Sequence, residues 1–442
     1  MMNFLSQIIN SRSTYKNLLL LNGILSCLLF YFFRDLTSGE EKHYLSYAQG
    51  LEYGRFSQWW FLPNYIPDTI RTPGYPVFLF LIEKISSSIY FIKAIQFVMY
   101  GLSVLMILNV ASNYDSSYKL RNIFLLLLLP YVQLAIFTVA IQPEALMTFL
   151  LTLYIFIDSK PIKPEWKITF MGLLSGVIFL VGPVFLFFPL ILFAISIATK
   201  RNKLSFGLAL SMVIIYLLTI LPYAIWNLKN HDVISLTPIE SAGGDKISLF
   251  SSLNQAQDNI IDHSKESDYI DSACAQYLSD DDKINLAEMN TYNGFQKTYN
   301  AKYTLAKEKL LKQQTLNQLR EEPANTLKSK ASTMLRLWLN EMQLTDLKSS
   351  ELNKIFPANY FRIITIIFFL ASLILIPLAF YRKKLSWVHS QTVIILIIYF
   401  GVLHLFFSLQ AKYTIPLRLI ILLLLAQTIV GLFTQHKKMN NS

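Results

Sequence analysis

The chain has 442 residues, of which 53% are hydrophobic, 14% aromatic and only 15% charged, and its mean hydropathy is +0.41. That composition excludes an ordinary soluble domain and describes a polytopic membrane protein. The formal net charge of +11 does not indicate nucleic acid, because the Lys and Arg residues gather in short loops between apolar runs, where they set membrane orientation.

The first apolar run, Asn17 to Phe33, follows Arg12 and Lys16 and lacks a small-residue cleavage site, so it reads as a retained signal anchor with a cytoplasmic start. Runs near the roughly 20 residues that a helix needs to cross occur near 17–34, 90–112, 122–140, 143–158, 205–226, 358–381, 389–409 and 413–433. Basic clusters at Arg12/Lys16, Lys119/Arg121, Lys160/Lys163/Lys167, Lys200/Arg201/Lys203, Arg382/Lys383/Lys384 and Lys437/Lys438 should all be cytoplasmic. That requirement makes Gly74 to Ile85 an interfacial helix on the outer face, and makes Thr169 to Thr199, broken at Gly182-Pro183, a pair of short helices that fold back. The expected fold is all-α and polytopic, with about ten transmembrane helices and both termini cytoplasmic.

Three units follow: 1–226, a transmembrane module whose first outer loop is 35–89; 227–357, an outer domain; and 358–442, a second transmembrane module. Within the outer domain, Lys302 to Leu337 carries Leu305, Leu310, Leu311, Leu316 and Leu319 at helical spacing, which predicts a small, mostly helical cap. Cys27 lies in the first apolar run and Cys274 in this polar segment, so no disulfide or zinc set follows from them.

Candidate chemistry collects on the outer face. The first loop carries Glu40, Glu41, His43 and Tyr44 just beyond the first span. A partly desolvated carboxylate there can act as general base towards an acceptor hydroxyl or amine; the same acids also suit the N-terminus of an interfacial helix. Arg71, Lys412 and Arg418 fall near the outer face, against the charge rule. They would bind the phosphate of a lipid through charge-assisted bonds, or snorkel to headgroups. Gln142-Pro143-Glu144 sits in a short outer turn, where Glu144 needs a partner such as a basic side chain, a metal or a sugar hydroxyl. Gly243-Gly244-Asp245 and Asp280-Asp281-Asp282 read as turn and helix-cap features.

Taken in order, these residues resemble the glycosyltransferase C superfamily, in the bacterial branch similar to protein O-mannosyltransferases and the lipid A aminoarabinose transferase. The resemblance rests on Glu40-Glu41-Lys42-His43-Tyr44, Arg71-Thr72-Pro73-Gly74-Tyr75-Pro76, Glu144, the Gly172 to Pro183 hairpin, Pro222-Tyr223 with Trp226-Asn227, and Lys412-Tyr413-Thr414-Ile415-Pro416. Two departures stand out. Glu40 occupies a place where the family commonly has Asp, and the hairpin has Val181-Gly182-Pro183 where relatives often carry a basic residue.

The resemblance implies a polyprenyl-monophosphate sugar as donor and inverting transfer to a lipid, glycan or protein acceptor, on the periplasmic face of a bacterial inner membrane. It implies Glu40 or Glu41 as base, Arg71 and Lys412 on the lipid phosphate, and Tyr44, Tyr75, Glu144 and Tyr413 as further substrate contacts. Glu144 would orient the sugar or hold a divalent cation. The spans are almost bare of charge and the acids lie at one face, which favours an enzyme over a lipid transporter. A glycan polymerase or ligase drawing on a polyprenyl-pyrophosphate oligosaccharide, and an inactive relative serving as an assembly partner, stay open.

Overall fold

The computed structural model describes residues 10–62, 67–68, 70–199, 206–239, 301–325, 359–382, 385, 387–403 and 411–433, with isolated positions between 272 and 356. Among the described residues every regular element is helical. In chain order these are α1 (Arg12–Phe33), α2 (Glu41–Glu52), α3 (Gly74–Glu83), α4 (Ile89–Tyr114), α5 (Lys119–Leu128), α6 (Gln133–Ile136), α7 (Pro143–Asp158), α8 (Pro164–Val181), α9 (Phe188–Thr199), α10 (Phe206–His231), α11 (Ala301–Glu321), α12 (Tyr360–Tyr381), α13 (Trp387–Leu403) and α14 (Ile415–Phe433).

Six of these, α1, α4, α8, α10, α12 and α14, are long and apolar enough to cross a membrane. The remaining expected crossings fall on shorter or broken helices. α7 has 16 residues, so its length of about 24 Å falls short of a ~30 Å hydrocarbon core. The run at 122–140, expected to be one span, is two helical pieces bent by 68°. Pro130 lies at the bend and has no N–H to continue the ladder; its carbonyl, passed over by the Leu134 N–H, which donates to Tyr131 at 3.3 Å, accepts the Tyr360 hydroxyl at 3.0 Å. α3 is a ten-residue helix, as the interfacial assignment requires.

α14 is the most deeply placed of the full-length helices. It packs against α5, α7 and α12 and buries Leu417, Leu419, Leu424 and Ala426. α8 lies along α10. The small residues on α8 allow this: a Cβ on Gly176 would stand 2.4 Å from Thr219 Cβ, and one on Gly172 2.9 Å from the Met212 carbonyl oxygen. Close approach of helices through small residues is a common way to gain packing in lipid, where burial of apolar groups offers little drive. α10 runs past residue 226, the limit expected for the first unit, and ends at His231 with Asp232 in the left-handed conformation (φ 56°). In the outer segment, α11 covers Ala301–Glu321, while Gly243 to Asp245 and the side chain of Lys412 lie outside the described residues.

Gly74 is the joint between membrane module and outer loop. A Cβ there would stand 2.5 Å from the Leu180 carbonyl carbon and oxygen and 2.7 Å from Val181 N, so only glycine lets the start of α3 rest on the end of α8. Gly74→Ala should lower the thermal unfolding midpoint in detergent by several degrees, corresponding to overpacking of about 1–3 kcal/mol. Gly101→Ala, on a face of α4 where an added Cβ meets nothing within 4 Å, should leave the midpoint unchanged. Equal midpoints for the two variants would contradict the close contact.

Candidate active site

The site is assembled from α2, the turn before α3, the start of α7, the end of α10 and the short turn Ala411–Thr414 that leads into α14. Glu40 stands immediately before α2 and Glu41 is its first residue. Successive helical residues point about 100° apart, and the two carboxylates part company accordingly. Glu40 Oε1 lies 3.6 Å from Arg71 Nη2, both side chains being about a quarter exposed. Glu41 turns into the membrane module, is buried, and lies 4.0 Å from Lys93 Nζ of α4. That lysine, buried within an apolar helix, also donates to the carbonyls of Arg34 at 2.9 Å and Leu36 at 2.7 Å. Burial pushes the Glu41 carboxyl above the ordinary glutamate range, with Lys93 drawing it back. Glu41 and Lys93 thus tie the end of α1 to the beginnings of α2 and α4.

Arg71 is held on every side. Its guanidinium carbon lies 5.1 Å from the centre of the Tyr44 ring, and Tyr44 meets Tyr75 edge-on at 4.9 Å between centroids. The Tyr75 hydroxyl donates to Gln96 Oε1 at 2.8 Å, and Gln96 Nε2 donates to the carbonyls of Thr138 and Ala140 at 2.9 and 2.8 Å. The Arg71 carbonyl accepts the Tyr223 hydroxyl of α10 at 3.1 Å. Tyr413 lies within electrostatic range of both Tyr44 and Arg71, and Glu144 of both Tyr44 and Tyr75. Of the residues proposed from the sequence, Glu40, Tyr44, Arg71, Tyr75, Glu144 and Tyr413 therefore converge, while Glu41 turns inward to Lys93, Arg418 lines a separate cleft, and the side chain of Lys412 lies outside the described residues.

Further residues support the site, and Asp68 among them escaped sequence reading. Asp68 is buried; its Oδ1 accepts the N–H groups of Ile70 at 2.8 Å and Arg71 at 2.6 Å, and its Oδ2 accepts the Tyr47 hydroxyl. Burial raises its pKa to about 6, against the opposing pull of Tyr47 and the two backbone donors. Asn227 donates to the carbonyls of Ser235 at 2.9 Å and Thr237 at 3.3 Å, fixing the chain as it leaves α10. Lys93 carried a usable signal, a charge inside an apolar helix. Asp68 carried none beyond an acid in a polar loop.

An apolar cleft of about 320 Å³ opens between α12, α13 and α14, lined among others by Tyr131, Trp338, Phe368, Leu373, Ile398 and Arg418. Arg418 is buried, donates to Thr414 Oγ1 at 3.1 Å through Nε and 2.7 Å through Nη2, and lies 5.6 Å from the Trp338 ring centre. Among the described residues it makes no ion pair with a carboxylate. The same restriction applies to metals: no three His, Cys, Asp or Glu side chains converge within the described residues.

No sequence-family profile matches the chain, and no curated protein does. Among solved structures, the chain is similar to that of ArnT from Cupriavidus metallidurans bound to undecaprenyl phosphate, with a TM-score of 0.39, 13% sequence identity, and coverage of 93% of this chain and 77% of that one.

Proposed function

We propose that this multi-pass membrane protein is an inverting glycosyltransferase that moves a sugar from a polyprenyl-monophosphate donor to a lipid, glycan or protein acceptor, on the periplasmic face of a bacterial inner membrane with both termini cytoplasmic. The observation that carries the proposal is the facing pair of Glu40 and Arg71, 3.6 Å apart at the open edge of the cluster. A carboxylate beside a guanidinium offers, within one substrate's reach, a group that takes a proton and a group that receives a phosphate.

In this reading the acceptor oxygen attacks the anomeric carbon from the face opposite the phosphate, Glu40 takes its proton, and the bond from the anomeric carbon to the phosphate oxygen breaks. Arg71 stabilises the charge gathering on the departing lipid phosphate, with Lys412 as a second cation. Tyr44 and Tyr75 form the wall against which the sugar rests, Glu144 orients its hydroxyls, and Tyr413 closes the side nearest α14. Glu41, engaged with Lys93, has a structural part. The cleft that Arg418 lines receives the donor's apolar chain, since its other walls are largely hydrocarbon.

Purified protein in lipid, given radiolabelled polyprenyl-phosphate sugars and extracted bacterial envelope, should move label from lipid to an acceptor. Glu40→Gln should cut turnover by about 10²–10⁴-fold, the range general bases contribute, with an unchanged thermal midpoint. Glu41→Gln should instead lower stability by about 1–3 kcal/mol, because Lys93 loses its counter-ion, while turnover per folded molecule persists. The opposite pattern would transfer the role of base to Glu41.

Arg71→Lys should raise the donor KM by about tenfold, because a point charge replaces a two-pronged donor, and Arg418→Gln should weaken binding of polyprenyl phosphate without altering that of a short-chain analogue. Turnover unaffected by all these changes would remove the outer cluster from the reaction.

A further inference from the structure

We propose that Asp68 is the positioning residue for Arg71: its side chain fixes where the guanidinium stands, and the charge it carries tempers how strongly that guanidinium holds the donor phosphate. This rests on the transferase reading above.

The geometry is that of an Asx turn closed around the segment leading to Arg71. One carboxylate oxygen of Asp68 accepts the backbone N–H of Ile70 at 2.8 Å and of Arg71 at 2.6 Å, which sets the direction in which the Arg71 side chain departs. The other oxygen accepts the Tyr47 hydroxyl from α2. Two further bonds fasten the same turn to α10: Tyr223 donates to the Arg71 carbonyl at 3.1 Å, and His231 Nε2 meets the Asp68 carbonyl at 2.9 Å. The turn is therefore clamped between the outer helix that carries Glu40 and a membrane-spanning helix, with Asp68 as the only group among these that reaches both of the N–H donors. None of this would be required of a solvated loop acid, because Asp68 is fully buried.

Its charge has a second effect. The groups facing the Asp68 side chain are Tyr47 on α2, Arg71 and Ile70 on its own turn, and Tyr223 on α10, while His231 touches only its carbonyl. Of these, Arg71 is the cation, so an ionised Asp68 competes with any substrate anion for it. The carboxyl pKa is raised by burial to about 6. Below that value Asp68 is neutral yet keeps a carbonyl oxygen for both N–H donors, so the position of Arg71 persists while the competing charge is lost. Above it, the competition is full.

The test compares wild type, Asp68→Asn and Asp68→Ala in nanodiscs. The probe is a methyl-esterified polyprenyl phosphate, a phosphodiester that does not titrate in this range. Wild type should bind several-fold more tightly at pH 5.5 than at pH 7.5, an effect of the size that one nearby charge has at a partly exposed site. Asp68→Asn should bind with the acidic-limit affinity at both pH values, and a pH dependence as large as that of wild type would overturn the part played by the Asp68 charge. Asp68→Ala should bind about tenfold more weakly than Asp68→Asn at both. Hydrogen exchange at the Ile70 and Arg71 amides provides a readout that needs no substrate: both should be protected in wild type and Asp68→Asn and exposed in Asp68→Ala. Alanine and asparagine variants that bind equally, or amides protected in all three proteins, would overturn the positioning role. If wild type binds no phosphodiester at either pH while the exchange pattern holds, the transferase reading fails and Asp68 remains what positions Arg71.

Discussion

A guanidinium three-quarters withdrawn from solvent is the constraint around which the Glu40–Arg71 cluster is built. Arg71 cannot sit there uncompensated, since removing a charge from bulk water is costly unless it is paired and hydrogen-bonded. Glu40 supplies the opposite charge at 3.6 Å, Tyr44 the aromatic face, and Asp68 and Tyr223 the backbone anchors. Three residues on, Gly74 presses α3 against the last turn of α8. Packing in the membrane module thereby reaches the chemical groups through a rigid path of a few residues.

The two neighbouring glutamates show how one helix start serves two ends. Glu40 stays partly exposed to solvent beside Arg71. Glu41 goes inward to Lys93, whose remaining bonds go to the carbonyls that end α1. The first pair leaves its charges accessible, and the second spends them on holding three helices together. An ion pair sunk between helices and an ion pair at an open edge differ mainly in solvent access, and that difference assigns them different work.

Much of the architecture was legible in the sequence because lipid imposes length and polarity on each span. The positions of α1, α4, α10, α12 and α14 follow from apolar length, whereas α8, expected as half of a short folded-back pair, is itself long and apolar enough to cross. The bend at Pro130 was not read, because an apolar run of span length masks a missing backbone donor; the Pro130 carbonyl and the Tyr360 hydroxyl that donates to it are 230 residues apart. The outer cluster was legible in its named acids, bases and tyrosines, which stand on local motifs. Asp68, Gln96 and His231 were not, and Tyr223 was read only as part of the Pro222-Tyr223 motif, since their contacts lie with partners 21 to 163 residues distant.

The most direct measurement of the central claim is photo-crosslinking with a polyprenyl phosphate carrying a diazirine beside the phosphate, followed by peptide mapping. The account predicts adducts on segments that contain Tyr44, Arg71 and Tyr413, suppressed by excess unlabelled lipid phosphate and lost in Arg71→Ala. Adducts confined to lipid-facing side chains of α1 and α4, unchanged by competitor or by that substitution, would contradict a donor site at Arg71.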